Sequence, residues 1–136
     1  MGRYDIIEDN FKIKEWTVKV LYQCTCDDID FIIKILKDIK CPVSYIDEAL
    51  DNLENCKLNT GLTYSNLNLK SSVIIINKTS SLAQLVNTIS HEYFHLITHI
   101  SKGLHIEDEE ELASLNGNLN MRTYNLIKDN DFKVGF

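Results

Sequence analysis

Two histidines four residues apart, with a glutamate directly after the first, carry the clearest chemical signal in this chain. The segment His91–His95 reads H-E-Y-F-H. On a helix, side chains four residues apart stack on one face, about 6 Å apart, so both imidazoles can reach one metal ion. Glu92 then lies beside the open coordination position, where a carboxylate can accept a proton from a bound water. The spacing predicts a catalytic metal site with His91 and His95 as ligands and Glu92 as the general base.

Signals at both ends predict that this segment lies within a helix. Ser81 and Gln84 have the spacing of a capping box, and Gly103 suits the left-handed residue that follows a helix. Between them, apolar residues repeat on one side of the helix. This apolar side comprises Leu82, Leu85, Val86, Ile89, Tyr93, Leu96, Ile97 and Ile100. His91 and His95 fall on the opposite side, so they are not histidines of an apolar core. That polar side also carries Gln84, Thr88 and His99. A solvated polar face is the simpler alternative, but it gives no reason for the glutamate between the histidines.

A catalytic zinc site needs a third protein ligand, and the sequence offers three candidates. His99 lies about 12 Å along the helix axis from His91, so one ion cannot bind all three helical histidines. It is then a substrate contact, an outer hydrogen-bond partner or a surface residue. His105 could fold back after the helix, as in three-histidine zinc proteases, although its separation from His95 is longer than that motif allows. The third candidate is a carboxylate within Glu107–Glu111.

Helical geometry favours Glu110 among these acids. One face of the next helix is apolar and forms the natural core face, with Leu112, Leu115, Leu119 and Leu126. Roughly opposite lie Glu110 and the mostly small residues Ala113, Ser114, Gly117 and Met121. Small residues allow close helix packing, so we expect this face to contact another element, and packing on the H-E-x-x-H helix would direct Glu110 toward His91 and His95. Glu109 and Glu111 are expected only to complement the helix dipole. A three-histidine site is the alternative.

The chain resembles the zincin metallopeptidases, and within them the gluzincin type, whose third ligand is a glutamate. It looks most like the small zincin-like peptidases encoded by bacterial phages and plasmids. The residues that carry this resemblance are Gly61–Asn66, Ser72–Ile76, His91–His95, and E-x-x-A-x-L-x-G over Glu110–Gly117. The resemblance implies a single zincin-like domain over residues 1–136 and a Zn²⁺-dependent peptide hydrolase. His99 and His105 depart from the gluzincin pattern and leave the third ligand less settled.

Composition predicts a compact intracellular domain. The chain has 136 residues, 44% hydrophobic content and one proline, which suits a single domain with a real core. Its net charge of -6, with scattered Lys and Arg, argues against nucleic acid as a partner, because duplex binding needs a clustered basic surface. No signal peptide follows Met1, and no apolar run approaches the roughly 18 residues of a membrane span. We therefore expect a cytoplasmic protein without a membrane partner; its oligomeric state is left open.

The cysteines are even in number, which would allow two disulfides in a secreted protein. They are Cys24, Cys26, Cys41 and Cys56. Without an export signal, we expect them to be reduced and buried. Their spacing is too irregular to favour a second zinc site.

Ahead of the site, the pattern indicates an α+β fold. The predicted elements are a strand over Lys14–Tyr22, helices from Asp27 or Asp28 to about Lys40 and from Ser44 to about Cys56, and strands over Thr63–Asn66 and Ser72–Asn77. The last two strands are expected to form a hairpin, with Val73–Ile76 as a buried central strand. We expect a small, mainly antiparallel sheet packed on helices, with the H-E-x-x-H helix followed by a glutamate-bearing helix.

The expected reaction is hydrolysis of a peptide or protein substrate. Zinc would lower the pKa of its water, and Glu92 would pass the proton from that water to the leaving amine. Tyr64, Tyr93 and His99 are candidates to stabilise the oxyanion, although Tyr93 lies on the apolar side and is expected in the core. The alternative is a catalytically weak or inactive zincin-like domain that binds a protein partner inside the cell. A structural zinc site fits poorly, because such sites are closed sets of four ligands rich in cysteine.

Overall fold

The computed structural model describes residues 5–134 and contains four strands and four long helices within that range. In chain order they are β1 (Ile7–Ile13), β2 (Trp16–Cys24), α1 (Ile29–Asp38), α2 (Val43–Glu54), β3 (Gly61–Asn66), β4 (Ser71–Asn77), α3 (Leu82–Leu104) and α4 (Glu109–Asp129). A short 3₁₀ turn, Cys26–Asp28, precedes α1. None of the helices in the described range is both long and apolar enough to cross a membrane.

The four strands form one sheet in the order β1-β2-β4-β3. The β1–β2 and β3–β4 pairs are antiparallel, and the β2–β4 pair is parallel. The predicted α+β class and the β3–β4 hairpin are confirmed, and Val73–Ile76 lies in a buried central strand as expected. The sheet is therefore mixed, with two antiparallel pairs and one parallel pair.

Strand β1 was not predicted from the sequence, because its alternation is interrupted by an acid. Ile7, Phe11 and Ile13 alternate toward the core, but Asp9 occupies an inward position and is buried. Arg122 of α4 pairs with Asp9 and makes its burial tolerable. The predicted strand from Lys14 begins two residues late in the structure, because Lys14 and Glu15 form the turn between β1 and β2.

Each face of the sheet packs against a different pair of helices. Helices α1 and α2 cover one face, which contains Leu21, Val73 and Ile75 together with Ile32, Leu36, Ile46, Leu50 and Leu53. Helices α3 and α4 cover the other, which contains Trp16, Val18, Val20, Tyr22, Ile74 and Ile76 together with Leu85, Ile89, Tyr93, Leu96, Ile100 and Leu119. The site-bearing helix is thus anchored by its apolar side on a buried sheet.

Helix α3 begins as predicted but ends later. The Ser81 side chain accepts a hydrogen bond from the backbone N–H of Gln84 at 3.1 Å. The expected left-handed residue is His105, with φ 55°, and not Gly103. Gly103 lies inside the helix, where a Cβ atom would be 2.3 Å from the Trp16 ring. Glycine is needed there for close packing on Trp16, and the prediction that it terminates the helix is wrong.

Two of the four cysteines form a disulfide, which corrects the prediction that all are reduced. Cys26 in the 3₁₀ turn and Cys56 after α2 are bonded, with their Cα atoms 5.0 Å apart. The fold brings together two segments that are separated by 30 residues in the sequence, and the spacing of the cysteines does not reveal this contact. Cys24 and Cys41 are free and buried, as expected.

Candidate metal and catalytic site

The two histidines of the H-E-x-x-H segment meet on the exposed side of α3. The Nε2 atoms of His91 and His95 are 3.2 Å apart. In a tetrahedral site with zinc–nitrogen bonds of about 2.0–2.1 Å, two ligand nitrogens lie about 3.3 Å apart. Both rings are solvent-accessible, and the atoms that converge are those a metal would bind. The pair therefore fits two adjacent positions around one ion.

Glu92 lies on the inner side of the same turn, against strand β3. Its side chain is only 5% exposed. Thr63 donates a hydrogen bond from Oγ1 to Glu92 Oε1 at 2.7 Å. Within residues 5–134, Thr63 is the only hydrogen-bond donor to this carboxylate. The second oxygen, Oε2, has no protein partner in that range and is not fully buried, so it can contact solvent. One carboxylate oxygen is therefore held by the sheet while the other is open to the groove.

Gly61 makes room for this glutamate. A Cβ atom at Gly61 would lie 3.1 Å from Glu92 Cγ and 2.9 Å from the carbonyl oxygen of Ile75. Any larger residue would push the strand away from α3 or displace the carboxylate. The close approach of β3 to α3 thus depends on a glycine at the start of the strand.

His99 lies one helical turn beyond His95 and is fixed by the sheet. Its Nδ1 atom is 2.6 Å from Ser65 Oγ, and Ser65 Oγ is 2.6 Å from Ser72 Oγ. Trp16 Nε1 donates to Ser72 Oγ at 2.8 Å. Burial lowers the pKa of His99, and the neighbouring His95 and Lys102 charges lower it further. Both effects favour the neutral imidazole at His99.

These side chains line a groove of about 460 Å³ between α3 and β3. Its walls are formed by His91, Glu92, His95 and His99 from α3, by residues 61–65 of β3, and by Tyr45 of α2. Strand β3 is at the edge of the sheet, so the groove is open to solvent along the strand. It is therefore an open groove along the edge strand and not a closed cavity.

Half of the backbone groups of β3 point toward this open edge. The N–H of Asn77 donates to the carbonyl of Thr60, immediately before the strand. Because hydrogen-bonded and non-hydrogen-bonded pairs alternate in an antiparallel ladder, the backbone groups of Gly61, Thr63 and Ser65 face outward. These three residues follow the groove from Glu92 to His99.

The outward carbonyl of Thr63 already has a partner. Tyr45 donates its hydroxyl to this oxygen at 2.8 Å. Tyr64, one of the oxyanion candidates, packs against Tyr45 at the rim, with ring centroids 5.1 Å apart and ring planes tilted by 53°. The other tyrosine candidate, Tyr93, is buried in the core as expected, with its hydroxyl 3.4 Å from that of Tyr22. Of the three candidates, His99 and Tyr64 line the groove.

The reasoning that selected Glu110 is wrong on one point: the small-residue face of α4 does not pack against α3. A Cβ atom at Gly117 would meet no atom within 4 Å, and Met121 is 60% exposed. Helix α4 instead packs through its apolar stripe, with Leu119 and Thr123 buried. Burying leucines removes much more apolar area from water than burying small residues, and this decides which face turns inward.

The third ligand is therefore not assembled by the described residues. Glu110 lies exposed in the first turn of α4, and His105 lies exposed at the end of α3. No group of three or more His, Cys, Asp or Glu side chains that could hold a metal ion occurs within residues 5–134. The structure brings together His91, His95 and Glu92, and it does not bring Glu110 or His105 to them.

A larger cavity of about 580 Å³ lies between β1 and α4, away from these histidines. Its buried acid, Asp9, is bound by Arg122 through two hydrogen bonds of 2.7 Å. The Arg122 guanidinium also lies 4.2 Å from the centre of the Phe11 ring. Because Asp9 and Arg122 neutralise each other, the candidate catalytic groups are those of the α3–β3 groove, although its volume is smaller.

The sequence did not reveal the strand residues whose hydroxyl groups form hydrogen bonds with Glu92 and His99 or behind them. Thr63, Ser65 and Ser72 were recognised only as strand residues. The available signal was that hydroxyl side chains recur at alternate positions of β3 and begin a strongly apolar β4. Such residues on a buried face need partners, and here the partners are Glu92 and His99.

Comparison with protein-family models, curated proteins and solved structures finds no match to this chain. The zincin resemblance therefore rests on the motif residues alone.

Proposed function

We propose that this protein is a zinc-dependent peptide hydrolase in which His91 and His95 bind the metal and Glu92 is the general base. The observation that carries the proposal is the 3.2 Å separation of the two Nε2 atoms beside a buried glutamate. A solvated helix face would not need its glutamate turned inward and hydrogen-bonded to a strand. Two metal ligands and a general base on adjacent positions of one helix are groups that metal-assisted hydrolysis uses.

The chain's own residues supply the proton transfers. When bound, zinc supplies a Lewis acid and makes a water acidic enough to ionise near neutral pH. Glu92 would accept a proton from the attacking water through the oxygen that Thr63 leaves free, and would then donate it to the leaving amine. Thr63 keeps the carboxylate in one orientation, so that the proton is exchanged at a fixed place.

The groove supports an extended peptide as the substrate class. A peptide can add to the open edge of β3 and pair with the outward backbone groups of Gly61, Thr63 and Ser65. The Tyr45 hydroxyl competes for the carbonyl of Thr63, so it has to release this acceptor when a chain pairs there. Backbone pairing would bring a peptide bond past Glu92 with little demand on side-chain identity.

The decisive experiment combines metal analysis with cleavage. Protein purified without added zinc is analysed for bound metal, and a mixture of peptides is incubated with and without a chelator. We expect zinc at one equivalent, cleavage that the chelator abolishes, and loss of cleavage but not of zinc in Glu92→Gln. The matched control is Glu54→Gln, an exposed acid at the end of α2 outside the groove.

Chelator-resistant cleavage, or full activity of Glu92→Gln, would overturn the proposal. Zinc binding without any cleavage would instead favour the protein-binding domain described as the alternative. The third ligand is tested separately, by zinc affinity of Glu110→Ala and His105→Ala. A larger loss for Glu110→Ala would support the ligand set that the gluzincin resemblance implies, and a larger loss for His105→Ala would support a three-histidine site.

A further inference from the structure

The chain of hydrogen bonds behind His99 has a defined direction. It starts at Trp16, because an indole N–H can only donate, and Ser72 therefore accepts. The Ser72 hydroxyl is buried, and the other group in contact with it is the Ser65 hydroxyl. A buried hydroxyl proton without an acceptor is costly, so Ser72 donates to Ser65.

This direction sets the tautomer of His99. Because the Ser65 oxygen accepts from Ser72, its single proton is left for His99 Nδ1, 2.6 Å away. In a neutral imidazole with an accepting Nδ1, the proton is on Nε2. An Nε2–H group has no lone pair for a metal, so the network keeps His99 out of the ligand set even though it shares a helix face with His91 and His95.

The position of the His99 Nε2–H group along β3 indicates which part of a bound peptide it would contact. Thr63 contacts Glu92, and Ser65 contacts His99, so the two α3 groups are aligned with β3 positions two residues apart. Two residues of a strand span about 6.8 Å, which is also the repeat of carbonyl groups along one edge of an extended peptide. A peptide whose scissile carbonyl lies at Glu92 would therefore present the next same-side carbonyl at His99.

We propose that His99 donates its Nε2–H to the substrate backbone carbonyl that lies two residues along the peptide from the scissile carbonyl. Trp16, Ser72 and Ser65 are the residues that position His99 for this contact. This proposal rests on the proposed function for the identity of the substrate as a peptide. His99 would thus bind the chain and set its register in the groove. It would not stabilise the oxyanion.

The tautomer can be tested in the metal-free protein by the nitrogen NMR resonances of His99. We expect Nε2 to be protonated and Nδ1 to be an unprotonated acceptor. Ser65→Ala should remove the hydrogen-bonded signature at Nδ1, and Ser65→Thr, which keeps the hydroxyl, should restore it. A protonated Nδ1 in the parent protein would overturn the proposal, whatever the protein does with peptides.

Binding is tested by peptide affinity in the Glu92→Gln background, where no cleavage occurs. Loss of one neutral hydrogen bond predicts a Kd higher by about threefold to tenfold in His99→Leu. His99→Gln, whose amide keeps a donor at similar reach, should recover most of the affinity. The control Asn87→Leu changes an exposed residue of α3 outside the groove and should have no effect.

Kinetics separate this role from oxyanion stabilisation. With Glu92 intact, His99→Leu should raise KM and leave kcat nearly unchanged, and the effect should vanish for a peptide truncated on one side of the scissile bond. A fall in kcat at constant KM would overturn the proposal that His99 sets the register of the peptide.

Unchanged peptide affinity in His99→Leu would overturn this proposal as well, and so would the finding that the protein binds no peptide. Peptide binding without cleavage by the parent would refute the hydrolase while leaving the His99 contact supported.

Discussion

The two faces of the sheet are built from the same strands, but the candidate site lies on only one of them. The fully buried residues of the face under α1 and α2 are aliphatic, apart from Cys24 and Cys41. The face under α3 also has an apolar core, but at the β3 edge that core gives way to hydroxyl groups that bind Glu92 and His99. At this edge, the hydroxyl groups of Thr63 and Ser65 have their hydrogen-bond partners in side chains of the groove.

A single strand can serve both faces because its side chains alternate. In β4, Ser72 and Ile74 face α3, while Val73 and Ile75 face α1 and α2. The same holds in β3, where Thr63 faces Glu92 and its neighbours lie on the other face. Because the two faces use different side chains, we expect that substitutions can change stability and activity separately. The following substitutions test this expectation.

The largest effect is expected for Glu92→Gln, on activity alone. Removing a general base typically lowers turnover by about 10²–10⁴-fold. The amide oxygen can still accept from Thr63, and a neutral amide is cheaper to bury than a carboxylate. We therefore expect the free energy of unfolding in urea to be equal to or above that of the parent. A variant that is both inactive and clearly less stable would show that Glu92 also holds the fold together.

The next effect compares one core leucine from each face. Leu36 of α1 and Leu96 of α3 are both fully buried. Replacing either with Ala should lower the free energy of unfolding by about 2–5 kcal/mol, because each leaves a cavity. Only Leu96→Ala should also weaken zinc binding, since Leu96 adjoins His95 on the same helix. Equal zinc affinities in the two variants, measured by titration, would argue against any separation of the two faces.

The disulfide gives a third and slightly smaller effect, confined to the α1–α2 side. Closing a loop of 30 residues restricts the unfolded chain, and its loss should cost about 2–4 kcal/mol. The paired change Cys26→Ser with Cys56→Ser should show this in urea unfolding. Zinc affinity should stay the same, because neither cysteine touches the groove. If zinc affinity falls with the disulfide, the connection leading to β3 controls the site.

Local features of the site could be predicted from the sequence, and features formed by distant contacts could not. The pairing of His91 with His95 depends only on helix periodicity, and the buried β4 follows from an unbroken apolar run. The contacts of Glu92 and His99 with β3 join residues 29 and 34 positions apart, and they require knowing that β3 lies beside α3. No local pattern contains that information.

The errors had a common physical origin in competition between partners. Asp9 concealed β1, because its partner Arg122 lies 113 residues away. The small face of α4 suggested close packing, but Leu119 on another face removed more apolar area from water. Gly103 suggested a helix end, while its neighbour Trp16 needed the space. In each case the residue was read alone, and the contact that decided its role was long-range.

The smallest effect is expected at Thr63, a residue of the sheet that also donates a hydrogen bond to Glu92. Thr63→Val keeps the shape of the side chain but leaves the buried Glu92 carboxylate without its donor. An unsatisfied buried group costs about 1–3 kcal/mol, so urea should unfold the variant earlier, and Thr63→Ser should unfold nearly like the parent. Combining Thr63→Val with Glu92→Leu removes both polar partners, and such paired replacement is close to neutral. The double variant should therefore be more stable than Thr63→Val alone, although inactive. If the two changes simply add, the hydrogen bond contributes nothing, and the inward turn of Glu92 would have to be explained by packing against Gly61.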